Sequence, residues 1–325
     1  MKNIKFFICP STKNVTDAVI RFREENDAPM ALIPTRRQVE WNGGYANNWT
    51  TEAFYNYTKG FSLERDHAGP SQGHKEDDGY VSLSHDCNYF NLIHIDPWKK
   101  YPEYETGLEW TVDMIKFCHD RNPDIEYEVG TEEGIRPFEA DEVELLIKDL
   151  RLRLGKLPFN KIKYVVVQSG SLIKENQNLG QHDSQKLKEI ITIAKRNDLL
   201  TKEHNGDYLG PDLIKEKMDI GLDSINIGPE ISLIETKTYL EAIGNESSSI
   251  FETFWELCYN SFRWKRWVDD SFNPLTNRRK LIEICGHYVL SDPTFVNKIK
   301  NSFPKIDERI QTNIINQFKK LHHGR

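Results

Sequence analysis

Long apolar runs are what this chain lacks most plainly. No stretch of its 325 residues approaches the ~20 apolar residues of a membrane-spanning helix. The N-terminal run, Met1 to Cys9, is ended by Pro10 and is too short for a secretory leader. Cysteine is scarce and scattered: Cys9, Cys87, Cys118, Cys258 and Cys285 are odd in number and include no CxxC pair. That predicts reduced thiols and a soluble cytoplasmic protein, not a disulfide scaffold. A basic excess is also missing. Lys and Arg number 43 against 50 Asp and Glu, a net charge of −7, which argues against nonspecific nucleic-acid binding. The basic, aromatic segment Arg263-Trp264-Lys265-Arg266-Trp267 is read as a helix with a solvated face. Finally, no GxGxxG follows the first apolar run, which counts against a doubly wound dinucleotide-binding sheet.

What is present is an alternation. Short apolar runs read as strands at Ile4–Cys9, Met30–Ile33, Gly60–Leu63, Leu92–Ile95, Ile125–Val129, Tyr164–Gln168, Leu199–Glu203 and Ser224–Ile227. Amphipathic segments such as Val15–Glu25, Gly107–Asp120, Ala140–Leu154 and Ser184–Arg196 lie between them, the last capped by Asp183 or Ser184. Eight strands alternating with helices predict an α/β fold of the (β/α)8 TIM-barrel type over residues 1–230. Residues 231–325 read as a helical extension packed on the barrel or in a subunit interface, without a Gly/Ser linker. Residues 69–90 break the rhythm as a long polar loop, read either as a lid or as a surface excursion.

Barrel strands converge on the active site at their C-terminal ends, and here those ends are chemically rich. The second ends in Arg36-Arg37, the third in Asp66-His67, the fourth in His94-Ile95-Asp96 and the fifth in Glu128 to Glu133. Gln168 ends the sixth, Glu203-His204 the seventh and Asn226 the eighth. Buried carboxylates and imidazoles need partners or a metal. His67 and His204 with one or more of Glu128, Glu132 and Glu203 make a mixed N/O site suited to Zn²⁺, Mn²⁺ or Co²⁺. Such a metal acts as a Lewis acid, with Asp66 as proton acceptor for a substrate hydroxyl. His94 alternates with apolar neighbours and is read as a hydrogen-bonded core histidine; His119 and His287 are read as structural, and His74 and His85 as loop residues.

Several of these segments resemble one family. Arg65-Asp66-His67-Ala68-Gly69-Pro70 is similar to the G-D-H-x-G-P segment of the accessory (Z-type) subunits of tagatose-bisphosphate aldolase, within the class II aldolase superfamily. Ile93-His94-Ile95-Asp96 resembles their I-H-L-D, Val129-Gly130-Thr131-Glu132 their I-G-T-E, and Val166 to Gly170 their V-V-Q-P-G. His204 to Tyr208 resembles H-S-T-D-Y, Ile227-Gly228-Pro229 resembles V-G-P, and Leu290 to Pro293 resembles L-D-E-P, so the likeness runs in order along most of the chain.

The resemblance implies a metal-dependent barrel that makes or breaks a carbon–carbon bond through an enediolate. It implies Asp66 as the catalytic carboxylate, His67 and His204 as metal ligands, and Glu128 as similar to the strand-five glutamate of catalytic aldolases. The sixth-strand histidine ligand is absent, since Gln168-Ser169-Gly170 stands there, and Gln168 or Glu132 is the candidate to complete the set. The phosphate cradle also departs, with Asp207 at its serine-like position and Pro229, which has no N–H, at its threonine-like one. Arg36 and Arg37 are the candidates to recruit a phosphate or carboxylate. Asp96, Gln168, Asp207 and Asn226 complete the substrate-binding set.

The expected function is a lyase or sugar epimerase of carbohydrate metabolism. Its substrate would be a ketose or ketose phosphate, cleaved by aldol chemistry or inverted at C4 by retro-aldol cleavage and re-addition. The alternative is a noncatalytic stabilising subunit whose partner, a class II aldolase subunit, meets the Trp-rich segment from Phe251 to Trp267. A sugar-binding protein without turnover is a third reading. Neither nucleic acid nor membrane is an expected partner, and a homo-oligomer is compatible with the sequence.

Overall fold

A computed structural model describes residues 4–323; Met1–Asn3 and Gly324–Arg325 lie outside the described residues. Eight parallel strands form the centre: β1 (Phe6–Ile8), β2 (Met30–Leu32), β3 (Glu64–Ala68), β4 (Leu92–Ile95), β5 (Glu126–Val129), β6 (Ile162–Val167), β7 (Leu200–Glu203) and β8 (Ser224–Ile227). Neighbours run β2-β1-β8-β7-β6-β5-β4-β3. Parallel bridges Leu32–Leu63 and Thr35–Asp66 bring β2 and β3 together, so the sheet curls into a (β/α)8 barrel with further helices after residue 243. The last helix, Ile306–His323, packs on Lys13–Asn26 and on Pro229–Ile243. No helix among the described residues is long and apolar enough to cross a membrane.

Side chains on a strand alternate between faces, and that alternation sorts this chain's charges. Outward residues such as Ile93, Ile95, Tyr127, Val129, Ile225 and Ile227 join the large core between sheet and helices. Inward, the lowest layer is apolar: Ile4, Phe7, Ala31, Ile33, Leu92 and Tyr164. Above it Lys202, with its ammonium 4.0 Å from the Phe7 ring centroid, pairs with Glu64 and lies 2.6 Å from Glu128. All three are fully buried. Lys202 holds Glu128 well below the usual carboxylate range despite burial. Glu64, sharing the same ammonium, is pushed up by burial and by the Glu128 charge.

Several expectations need correction. The third strand begins at Glu64, not Gly60, because its charges are matched: Arg65 faces outward and forms a buried pair with Asp86 at 2.8 Å. Asp66 and His67 are therefore inside β3 instead of beyond it. Half of the polar 69–90 segment is the helix Tyr80–Tyr89. Its preceding loop is tied down by Asp77 and the Gly69 carbonyl on Arg36 and by the Gly73 carbonyl on Arg37. The segment Arg263–Trp267 is a short 3-10 turn with Trp264 buried. A hairpin pairing Ile173–Lys174 with Gln177–Asn178 was not anticipated. Asp183, not Ser184, caps the helix Ser184–Arg196 by accepting from Gln185 N and Lys186 N.

Candidate metal centre

Four inward side chains meet at the C-terminal mouth: Asp66 and His67 from β3, His94 from β4 and His204 just after β7. One ligand atom from each lies within 4.8 Å of all the others. A bulge in β3, between Arg65 and Ala68, aims the pair. It leaves His67 at φ 46°, a left-handed conformation that few residues other than glycine adopt. Strain of that kind gathers at functional sites.

The imidazoles share one arrangement. His67 Nδ1 is 2.6 Å from Asp96 Oδ2, His94 Nε2 is 3.0 Å from the Gly130 carbonyl, and His204 Nε2 is 3.1 Å from Glu128 Oε1. Each far nitrogen thus has an acceptor, which fixes the other nitrogen as the one turned to the centre. There His94 Nδ1, His67 Nε2 and His204 Nδ1 lie 3.5, 3.6 and 3.9 Å from Asp66 Oδ1. That oxygen is buried and accepts no hydrogen bond among the described residues. Burial alone would raise the Asp66 pKa, but the three imidazoles outweigh it and hold the carboxyl well below its usual range. Burial likewise opposes charge on His67, yet Asp66 and Asp96 push it up to about 10. The surroundings favour a cation at this point, and three imidazoles with a carboxylate form a donor set that fits a divalent metal such as Zn²⁺.

A cavity of about 370 Å³ opens above, lined in part by Asp66, His67, Glu132, His204, Asp207, Asn226 and Arg37. Asn226 is buried, and both its amide atoms lack partners among the described residues. Asp207 Oδ1 accepts from Gly228 N at 2.9 Å and Glu230 N at 2.7 Å, at the start of the helix Pro229–Ile243. Burial raises this carboxyl to about 7 against those bonds. Glu132 accepts from Asn205 Nδ2 at 2.7 Å and lines the cavity outside the four-residue cluster.

Other residues singled out from the sequence are engaged elsewhere. The buried Arg36 donates to Glu40, Asp77 and the Gly69 carbonyl and is not among the residues lining the cavity. Gln168 bonds Phe138 N and the carbonyls of Thr131 and Arg136, at 2.7 to 2.8 Å, so it ties two loops together. Glu128 is a support beneath His204. Glu203 faces outward onto Lys217 at 2.9 Å. His94 was the omission. Counting by twos from inward Leu92 places it on the barrel face, which was the available signal.

No family model and no curated protein matches this sequence. Among solved structures, the chain is similar to one described as a probable tagatose 6 phosphate kinase from Sinorhizobium meliloti, with 15% identity, TM-score 0.74, and 99% and 100% of the two chains covered. A fructuronate-tagaturonate epimerase from Cohnella laeviribosi matches at 9% identity and TM-score 0.67, covering 99% of this chain and 81% of that one. A fructose-bisphosphate aldolase from Campylobacter jejuni matches at 12% identity and TM-score 0.60, covering 98% and 90%. At such identities the likeness is one of fold, a (β/α)8 barrel with C-terminal helices.

Proposed function

We propose that this protein is a metal-dependent, class II aldolase-like enzyme that acts on a ketose or ketose derivative, by aldol cleavage or by epimerisation through cleavage and re-addition. One observation carries the reading. Three imidazoles, each with its far nitrogen against an acceptor, turn their near nitrogens on a buried carboxylate oxygen that has no hydrogen bond. A fold needs no such convergence for stability.

His67, His94 and His204 are the residues that would hold the metal, with Asp96, Gly130 and Glu128 orienting them. The metal, when bound, supplies Lewis-acid polarisation of a substrate carbonyl. Asp66, kept ionised by its neighbours, accepts the proton of the hydroxyl beside the bond to be broken. That oxygen becomes an aldehyde carbonyl, the carbon–carbon bond breaks, and its electron pair passes to the ketone oxygen as an enediolate forms. Rotation of the aldehyde before re-addition inverts the hydroxyl carbon. Asn226, with both amide atoms unspent, is positioned to hydrogen-bond substrate hydroxyls.

The test is metal analysis of the purified protein, followed by assay alone against ketoses and ketose phosphates with and without EDTA. Stoichiometric metal and EDTA-sensitive turnover are expected. A metal-free protein that is inert alone, and that raises activity only when an aldolase partner is added, would establish the stabilising-subunit reading instead.

A further inference from the structure

The cavity above the metal centre has two unlike sides. In (β/α)8 barrels phosphate is frequently bound by the loops after strands seven and eight at the start of a short helix. Here that place is filled from within. Asp207 takes the N–H groups of Gly228 and Glu230, and Pro229 between them has none to give. A second anion there would meet a carboxylate in place of donors.

Cations line the same cavity elsewhere: Arg37 after β2, Lys99 after β4 and Arg266 from the Arg263–Trp267 turn. Among the described residues none of the three forms an ion pair with a carboxylate; Arg37 donates only through Nε, to the Gly73 carbonyl at 3.1 Å. Partial burial, together with Arg266 and Arg263, lowers the Arg37 pKa, and the partial desolvation of the exposed Lys99, with Arg37 and Arg266, lowers that of Lys99. Asp96 and Glu132 offset part of this for Lys99, but the like charges still repel one another, and an entering anion relieves that repulsion. A guanidinium fork suits phosphate or carboxylate equally.

We propose that Arg37, Lys99 and Arg266 form a subsite for a single anionic end group of the substrate, phosphate or carboxylate, and that the Asp207 side accepts an uncharged, hydroxyl-bearing end. This rests on the catalytic reading for what happens to the substrate, but not for the binding preference itself. The preferred ligand is then a ketose bearing one anionic group, neither a neutral sugar nor a bisphosphate.

Calorimetric binding of fructose, fructose 6-phosphate, fructuronate and fructose 1,6-bisphosphate to the metal-loaded protein tests it, and comparing the second and third separates phosphate from carboxylate. At least one mono-anion is expected to bind ten-fold or more tighter than fructose and than the bisphosphate. The double variant Lys99→Ala/Arg266→Ala, at two exposed positions, is expected to lose ten-fold or more for that mono-anion while fructose changes less than two-fold. Asp207→Ser is expected to narrow the gap to the bisphosphate. Failure to bind any of the four, equal binding of fructose, or a double variant that keeps both its melting temperature and its mono-anion affinity overturns the subsite. Anion selectivity in a protein that holds no metal sinks the catalytic reading alone. Turnover without anion selectivity sinks this one alone.

Discussion

Two groups of buried ionisable side chains are stacked along the barrel interior, and they differ in what their charges are for. In the lower one, Lys202 answers Glu64 and Glu128 over a floor of Phe7 and Tyr164. In the upper one, His67, His94 and His204 have partners on their far sides, and their near nitrogens and Asp66 Oδ1 face one another at the centre. Burial is similar in both, so burial does not distinguish a structural charge from a functional one. The kind of partner does: below, an ammonium lies among the carboxylates, whereas above, imidazole nitrogens converge on a carboxylate oxygen.

The largest expected effect breaks the upper group without touching the lower. Asp66→Asn should reduce kcat by about 10³-fold or more, within the range for loss of a general base, while metal analysis finds the ion retained. Activity near that of the wild type would remove Asp66 from the mechanism. His94→Ala, in contrast, should lose the metal, which sharpens the distinction between ligand and base. Lys202→Met breaks the lower group. It leaves two carboxylates without their cation and should cost about 3–5 kcal/mol in chemical denaturation; a change under about 1 kcal/mol would show that the pair is not structural.

Glu235 offers a third comparison, as a buried carboxylate that does not line the cavity and whose Oε1 accepts from Asn14 at 2.9 Å. Burial raises it to about 7, above its ordinary 4.5. The folded state therefore holds the proton more tightly than the unfolded one, and stability falls as pH rises from about 4.5 to about 7, then levels off. Glu235→Gln should flatten that decline, by on the order of 3 kcal/mol; an unaltered slope would exclude Glu235 as its source. The smallest effect is expected from Asp96→Asn beneath His67. Metal affinity should weaken about 10–100-fold, measured by competition with a chelator, and the fold should be unchanged.

The barrel was legible in the sequence because parallel strands buried on both faces leave apolar runs that helices punctuate. Five of the eight strand positions needed only small changes at their ends, and Leu92–Ile95 and Ser224–Ile227 needed none. The run at 60–63 misled because β3 carries Glu64, Arg65 and Asp66, whose burial depends on partners far along the chain. Asp66, His67 and His204 stood at strand ends, where polar residues draw notice. His94 did not, because a histidine between isoleucines resembles a core residue until the register with β3 and β5 puts it beside Asp66. Arg266 was hidden differently. Its segment looks like a solvated helix, and only the return of the C-terminal part over the barrel mouth brings it to the cavity.

Asp66, His67 and His204 line an open cavity, while the Lys202 layer beneath them carries its own counter-charges. An ion at the mouth is then a lodger in a finished building. In small zinc domains the ion and the fold arrive together, and a chelator unfolds the chain. Here dialysis against a chelator should leave a folded protein that takes the ion back in minutes. Different divalent ions could therefore be exchanged into one preparation and compared on identical scaffolds.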